Sequence, residues 1–96
     1  MNSIMSLDTD KFSINSRYRM QWEEAQQCHV LLYPEGLVKL SDTAAEILGR
    51  CRQPITSAQL IATLLEAYPG AESLAEDVME FLQHAKQQEW IQRSED

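Results

Sequence analysis

The chain has 96 residues, 44% of them hydrophobic, which suits one domain with one core and leaves little scaffold for a deep catalytic cleft. Its formal net charge of −7 repels phosphate backbones and anionic lipid, so nucleic acid and membrane surfaces are disfavoured partners. Cys28 and Cys51 make neither a CxxC pair nor a zinc-like spacing, and MNSIMSLDTDKF lacks the basic start and apolar run of a signal peptide. A cytoplasmic location with both thiols reduced is therefore expected.

Residues 1–15 mix polar residues with isolated apolar ones and show no stable period. They are expected to form a flexible N-terminal tail, with 16–92 as the folded domain and 93–96 as a second tail. In RYRMQW, Tyr18, Met20 and Trp22 alternate with Arg17, Arg19 and Gln21, the period of a half-buried strand. Glu23-Glu24-Ala25-Gln26 reads as a polar turn, and QCHVLLY follows as a second strand. Tyr33-Pro34-Glu35-Gly36 is a tight reversal, with proline presetting one dihedral and glycine free to take the left-handed one. Leu37-Val38-Lys39-Leu40 then makes a third, short strand.

The remainder carries helical spacing. Ser41 caps a helix expected over 42–51, with Ala44, Ile47, Leu48 and Cys51 on one stripe. Pro54 breaks the chain, Thr56 and Gln59 fit a capping box, and a second helix runs to about Tyr68 before Pro69-Gly70 stops it. Ser73 and Glu76 fit another box, opening a third helix with Val78, Phe81, Leu82 and Ala85 inward; Trp90 and Ile91 fold back on the core. The expected fold is α+β: an N-terminal three-stranded antiparallel sheet followed by a three-helix bundle, winged-helix-like in arrangement.

Chemistry finds little to work with. Cys28 and His29 are neighbours on a strand and point to opposite faces, and His84 lies far off, so no metal set converges. Cys51 belongs to an apolar stripe, where a thiol behaves as a small hydrophobe. Glu72-Ser73-Leu74 faintly resembles the Asp-Ser-Leu of acyl carrier proteins, but those are all-helical and this chain opens with strands. The expectation is no enzyme, no catalytic residue, no metal and no cofactor. What remains is an open sheet edge at Leu37–Leu40, whose Lys39 is a common guard against indiscriminate pairing. Left unguarded, such an edge accepts an added strand from an extended peptide.

From Arg17 to Ile91 the sequence resembles the pyrroloquinoline quinone (PQQ) biosynthesis protein D family, PqqD. The carrying residues are Arg17-Tyr18-Arg19, Val30 to Gly36 (VLLYPEG), Ala44 with Glu46-Ile47-Leu48, Asp77-Val78 with Phe81-Leu82, and Trp90-Ile91. Arg52-Gln53-Pro54 departs from the Asp-Gly turn of many relatives and affects only that loop. The resemblance implies a peptide chaperone, a recognition element for ribosomally made precursor peptides. Such a protein binds the precursor PqqA and presents it to the radical S-adenosylmethionine enzyme PqqE. It also implies strand addition at Leu37, Val38, Lys39 and Leu40, to which helical spacing adds Val78, Leu82, Ala85 and Lys86 as a groove wall. Two alternatives are a winged-helix DNA-binding regulator, opposed by the net charge and by a second helix without Lys or Arg, and a self-associating scaffold or homodimer joined through the open edge.

Overall fold

A computed structural model describes residues 5–94. In chain order the elements are β1 (Phe12–Ile14), β2 (Arg19–Glu23), β3 (Cys28–Tyr33), β4 (Gly36–Lys39), α1 (Asp42–Gly49), α2 (Ser57–Ala67), α3 (Leu74–Gln87) and β5 (Ile91–Arg93). The expected sheet-then-helices order is present, as a β2-β3-β4 antiparallel meander followed by α1 to α3.

Two tight connections set the meander's register. Between β2 and β3, Gln27 takes a left-handed φ of 56° and its Nε2 donates to the Glu24 carbonyl at 2.8 Å. Between β3 and β4, Pro34-Glu35 reverses the chain so that Tyr33 faces Gly36, Leu31 faces Val38 and Val30 faces Lys39. Gly36 is not left-handed: Gly70, at φ 88°, is the one glycine with positive φ among the described residues. Cross-strand partners share a face, so Met20, Leu31 and Val38 form one apolar row that meets the helices. Val30 points the other way and is still fully covered, its ladder partners Gln21 and Lys39 lying on either side.

The helices start largely where their side chains direct. The Ala44 N–H donates to Ser41 Oγ at 3.1 Å, and Thr56 and Gln59 each accept from the other's backbone N–H at 3.1 Å. Ser73 departs from the expected box. Its ψ of 14° is not extended, so its hydroxyl misses the helix amides and instead donates to Asp77 Oδ2 at 3.0 Å. α1 ends at Gly49 and α2 at Ala67, slightly short of the expected limits.

The tail expected over 1–15 does not hold for residues 5–15. Met5 and Leu7 are buried, Phe12 has no exposed surface, and β1 pairs antiparallel with β5, Phe12 facing Arg93 and Ile14 facing Ile91. Residues 1–4 lie outside the described residues. The C-terminal boundary moves for the same reason: Arg93 belongs to β5, and the Ser94 N–H donates to the Lys11 carbonyl at 2.8 Å. Residues 95–96 lie outside the described residues. Two three-residue strands are too short to show a period, and each is stabilised by a partner about eighty residues away.

Candidate functional site

The sheet order leaves β4 at an edge, with no strand beyond it among the described residues. Its hydrogen-bonding phase follows from one contact: the Leu40 N–H donates to the His29 carbonyl at 2.9 Å. Backbone groups alternate sides along a strand, so Leu40 and Val38 turn their main-chain groups toward β3. Leu37 and Lys39 therefore turn theirs outward. Of the four residues expected to pair with a guest, only two offer donors and acceptors. Side chains around that edge are graded: Leu37 is 40% exposed, Lys39 is exposed, Val38 is half-buried against the core, and Leu40 is buried.

The helical residues expected to form a wall divide sharply. Leu82 and Ala85 have no exposed surface and Val78 is 3% exposed, so all three are core. A groove wall needs surface, and Leu82 and Ala85 have none to give. The reason is their phase: 78, 82 and 85 lie along the centre of the buried stripe of α3. Lys86 is half-buried, and Met79, one flank over and seven residues earlier, is half-buried on the same side. Phe81 sits on the opposite flank, with its ring centroid 6.3 Å from that of Trp90. Met79 was missed from sequence because spacing alone does not separate the centre of a buried stripe from its border.

Beyond β4 the chain enters α1, where a cleft of about 430 Å³ opens against the end of α2 and the start of α3. Ile47, Leu64, Leu74 and Val78 line it with apolar surface, and Asp42, Glu46, Glu72 and Asp77 add carboxylates. Arg50 Nη1 donates to Glu46 Oε2 at 2.7 Å. This contact, and after it a hydrogen bond from the Tyr68 hydroxyl, hold the Glu46 carboxyl below its ordinary range. The same carboxylate raises the Tyr68 phenol.

Nucleophiles and metal ligands are dispersed. Burial pushes the Cys51 thiol up to about 12, while Cys28 is half-exposed on β3. His84 meets Trp90 edge-on at 5.3 Å. Among the described residues no three His, Cys, Asp or Glu side chains come together as a metal site, and no helix is long and apolar enough to cross a membrane.

Comparison with known proteins agrees with the fold. The profile of the family described as coenzyme PQQ synthesis protein D (PqqD) matches residues 28–91. A PqqA binding protein of Azotobacter vinelandii is 51% identical over 75 residues, covering 78% of this chain and 82% of that one. One from Klebsiella pneumoniae is 53% identical over 74 residues, covering 77% and 80%. One from Pseudomonas aeruginosa is 43% identical over 90 residues, covering 94% and 97%. Among solved structures, the solution NMR structure of the PqqD truncation of Methylobacterium extorquens PqqCD, described as a stand-alone recognition element for ribosomally synthesised, post-translationally modified peptides, superposes with a TM-score of 0.71. It covers 90% of this chain and 93% of that one at 24% identity, a likeness of fold. With two thirds of its length matched by the profile and about half of the aligned residues identical in curated relatives, the chain belongs to the PqqD family.

Proposed function

We propose that this chain binds the precursor peptide PqqA as an added strand on β4 and presents it to the radical S-adenosylmethionine enzyme PqqE in PQQ biosynthesis, taking no catalytic part itself. The observation that carries the reading is the outward main-chain row at Leu37 and Lys39. An extended peptide satisfies those groups with the same bonds that join β3 to β4, and alternate side chains of the guest then face the protein. Met79 and Lys86 are half-buried positions of α3 that keep surface to offer a guest, and the cleft lined by Ile47 and Leu64 has room for an apolar side chain. The curated relatives bear the name PqqA binding protein, which supports the choice of guest.

The test is an amide NMR titration with PqqA, followed by a turnover assay with PqqE. The expected result is saturable shifts centred on residues 36–40 and on α3, together with peptide crosslinking by PqqE that depends on this chain. Unmoved amides along β4 under saturating PqqA reject the site. Binding with no effect on crosslinking rejects the presentation step alone.

A further inference from the structure

On the far side of the meander from β4, a second cleft of about 440 Å³ gathers Arg17, Arg19 and Arg52 over Ile14, Tyr18 and Leu32. The chain has only eight basic side chains against fifteen acidic ones, and three of the eight meet here. All three arginines are exposed, and among the described residues none of them forms an ion pair. Arg50 and Arg93, by contrast, are paired within the protein.

The cluster is assembled by backbone contacts rather than by chance proximity. The Ile14 N–H donates to the Cys51 carbonyl at 2.9 Å, which brings β1 against the loop that carries Arg52. Asn15 fixes the next turn. Its side chain donates to the Glu89 carbonyl at 2.9 Å and accepts from the Arg17 N–H at 3.0 Å, and its carbonyl accepts from the Tyr18 N–H at 2.9 Å. Arg19 starts β2 opposite Leu32. Cations held on a preformed frame lose less freedom on binding an anion than cations on a loose loop.

We infer that this arginine cleft docks a short acidic segment of a protein partner, its carboxylates on Arg17, Arg19 and Arg52 and an apolar side chain on Tyr18 and Leu32. Guanidinium groups match carboxylates two bonds at a time. A nucleic acid is a poorer occupant. Its phosphates extend well past three arginines and meet a protein of net charge −7, whereas a short segment feels mainly the charges within a Debye length of roughly 8 Å. The inference stands apart from the β4 site, which lies at the opposite edge of the sheet.

The experiment is a titration of the full chain with a blocked Glu-Asp-Leu-Glu-Asp peptide, read by the arginine Nε–Hε and backbone amide signals. Parallel titrations use its Gln-Asn-Leu-Gln-Asn counterpart, tripolyphosphate and a short DNA duplex. The expected result is movement of Arg17, Arg19 and Arg52 with the acidic peptide only, lost at high salt and weakened roughly tenfold in Arg19→Gln, the loss of one charge-assisted contact. These arginines are exposed, so the variant is expected to melt like the parent, and melting curves check this. No movement, or an equal response to tripolyphosphate or duplex, overturns the inference. So does self-association without peptide that Arg17→Gln, Arg19→Gln and Arg52→Gln together abolish, since the occupant is then a second copy.

Discussion

Phe12 and Ile55 exchange both of their main-chain hydrogen bonds, the Phe12 N–H to the Ile55 carbonyl at 2.9 Å and the Ile55 N–H to the Phe12 carbonyl at 3.0 Å. With the Ile14–Cys51 bond, this bridge fastens the N-terminal segment to the loop between α1 and α2, and Phe12 is left with no exposed surface. The buried Ser57 hydroxyl adds a donation to the Leu7 carbonyl at 2.7 Å. The N-terminal segment is thus part of the core. Phe12→Ala is expected to destabilise the fold by about 3–5 kcal/mol, the range for truncating a buried aromatic. Urea denaturation followed by tryptophan fluorescence measures it, and a loss below about 1 kcal/mol, the size of an ordinary surface change, contradicts that packing.

How much of this was legible in the sequence depends on whether a signal is local. The strand at QCHVLLY, the Pro34-Glu35 reversal and the Thr56–Gln59 capping box are decided by residues close together, and each is found where the pattern puts it. β1 and β5 stabilise each other from opposite ends of the chain, and no window contains both. The Ser73 cap looked sound on spacing, but it depends on a ψ that spacing does not report. At the site, the edge strand was legible. Which of its amides face out was not, because that phase is set by the contact of Leu40 with His29.

The two thiols differ in burial and should differ in chemistry. Cys51 has no exposed surface and its Sγ lies 3.4 Å from the Ile47 carbonyl, whereas Cys28 is half-exposed. Iodoacetamide on the native protein is expected to label Cys28 alone, with Cys51 reacting only in denaturant; mass spectrometry of digested peptides reads both. The same burial has a pH consequence. The unfolded thiol ionises near its ordinary 9.0 while the folded one waits until about 12, so this group costs stability as pH rises above 9. Cys51→Ala should remove that part of the alkaline loss, seen as a flatter dependence of melting temperature on pH.

Glu46 titrates below its ordinary value of 4.5 because the Arg50 guanidinium and then the Tyr68 hydroxyl favour its charged form. A depressed carboxyl contributes stability above the unfolded pKa and loses it as pH falls through the folded one. The carboxyl is partly solvated, so the effect on stability is small. The titration midpoint is the sharper readout. Carboxyl carbon NMR is expected to place the Glu46 midpoint higher in Arg50→Gln and, by less, in Tyr68→Phe. Identical midpoints in all three proteins contradict the shared network.

Proline substitution along β4 separates guest binding from fold, because adjacent residues of an edge strand send their N–H groups opposite ways. Lys39 points its N–H outward, so Lys39→Pro deletes a donor that only a guest uses, and edge strands tolerate proline in that orientation. Val38 points its N–H at β3, opposite Leu31, so Val38→Pro breaks the hairpin itself. The expected pattern is a Lys39→Pro protein that melts near the parent and binds PqqA about tenfold more weakly, the loss of one main-chain bond of roughly 1.5 kcal/mol. Val38→Pro should lose several degrees of melting temperature, and any binding defect it shows follows from that damage. Calorimetric titration of both variants, with melting curves alongside, distinguishes the two effects. If Lys39→Pro folds and binds PqqA as the parent does, the guest does not hydrogen-bond to this edge, however close to it the peptide lies.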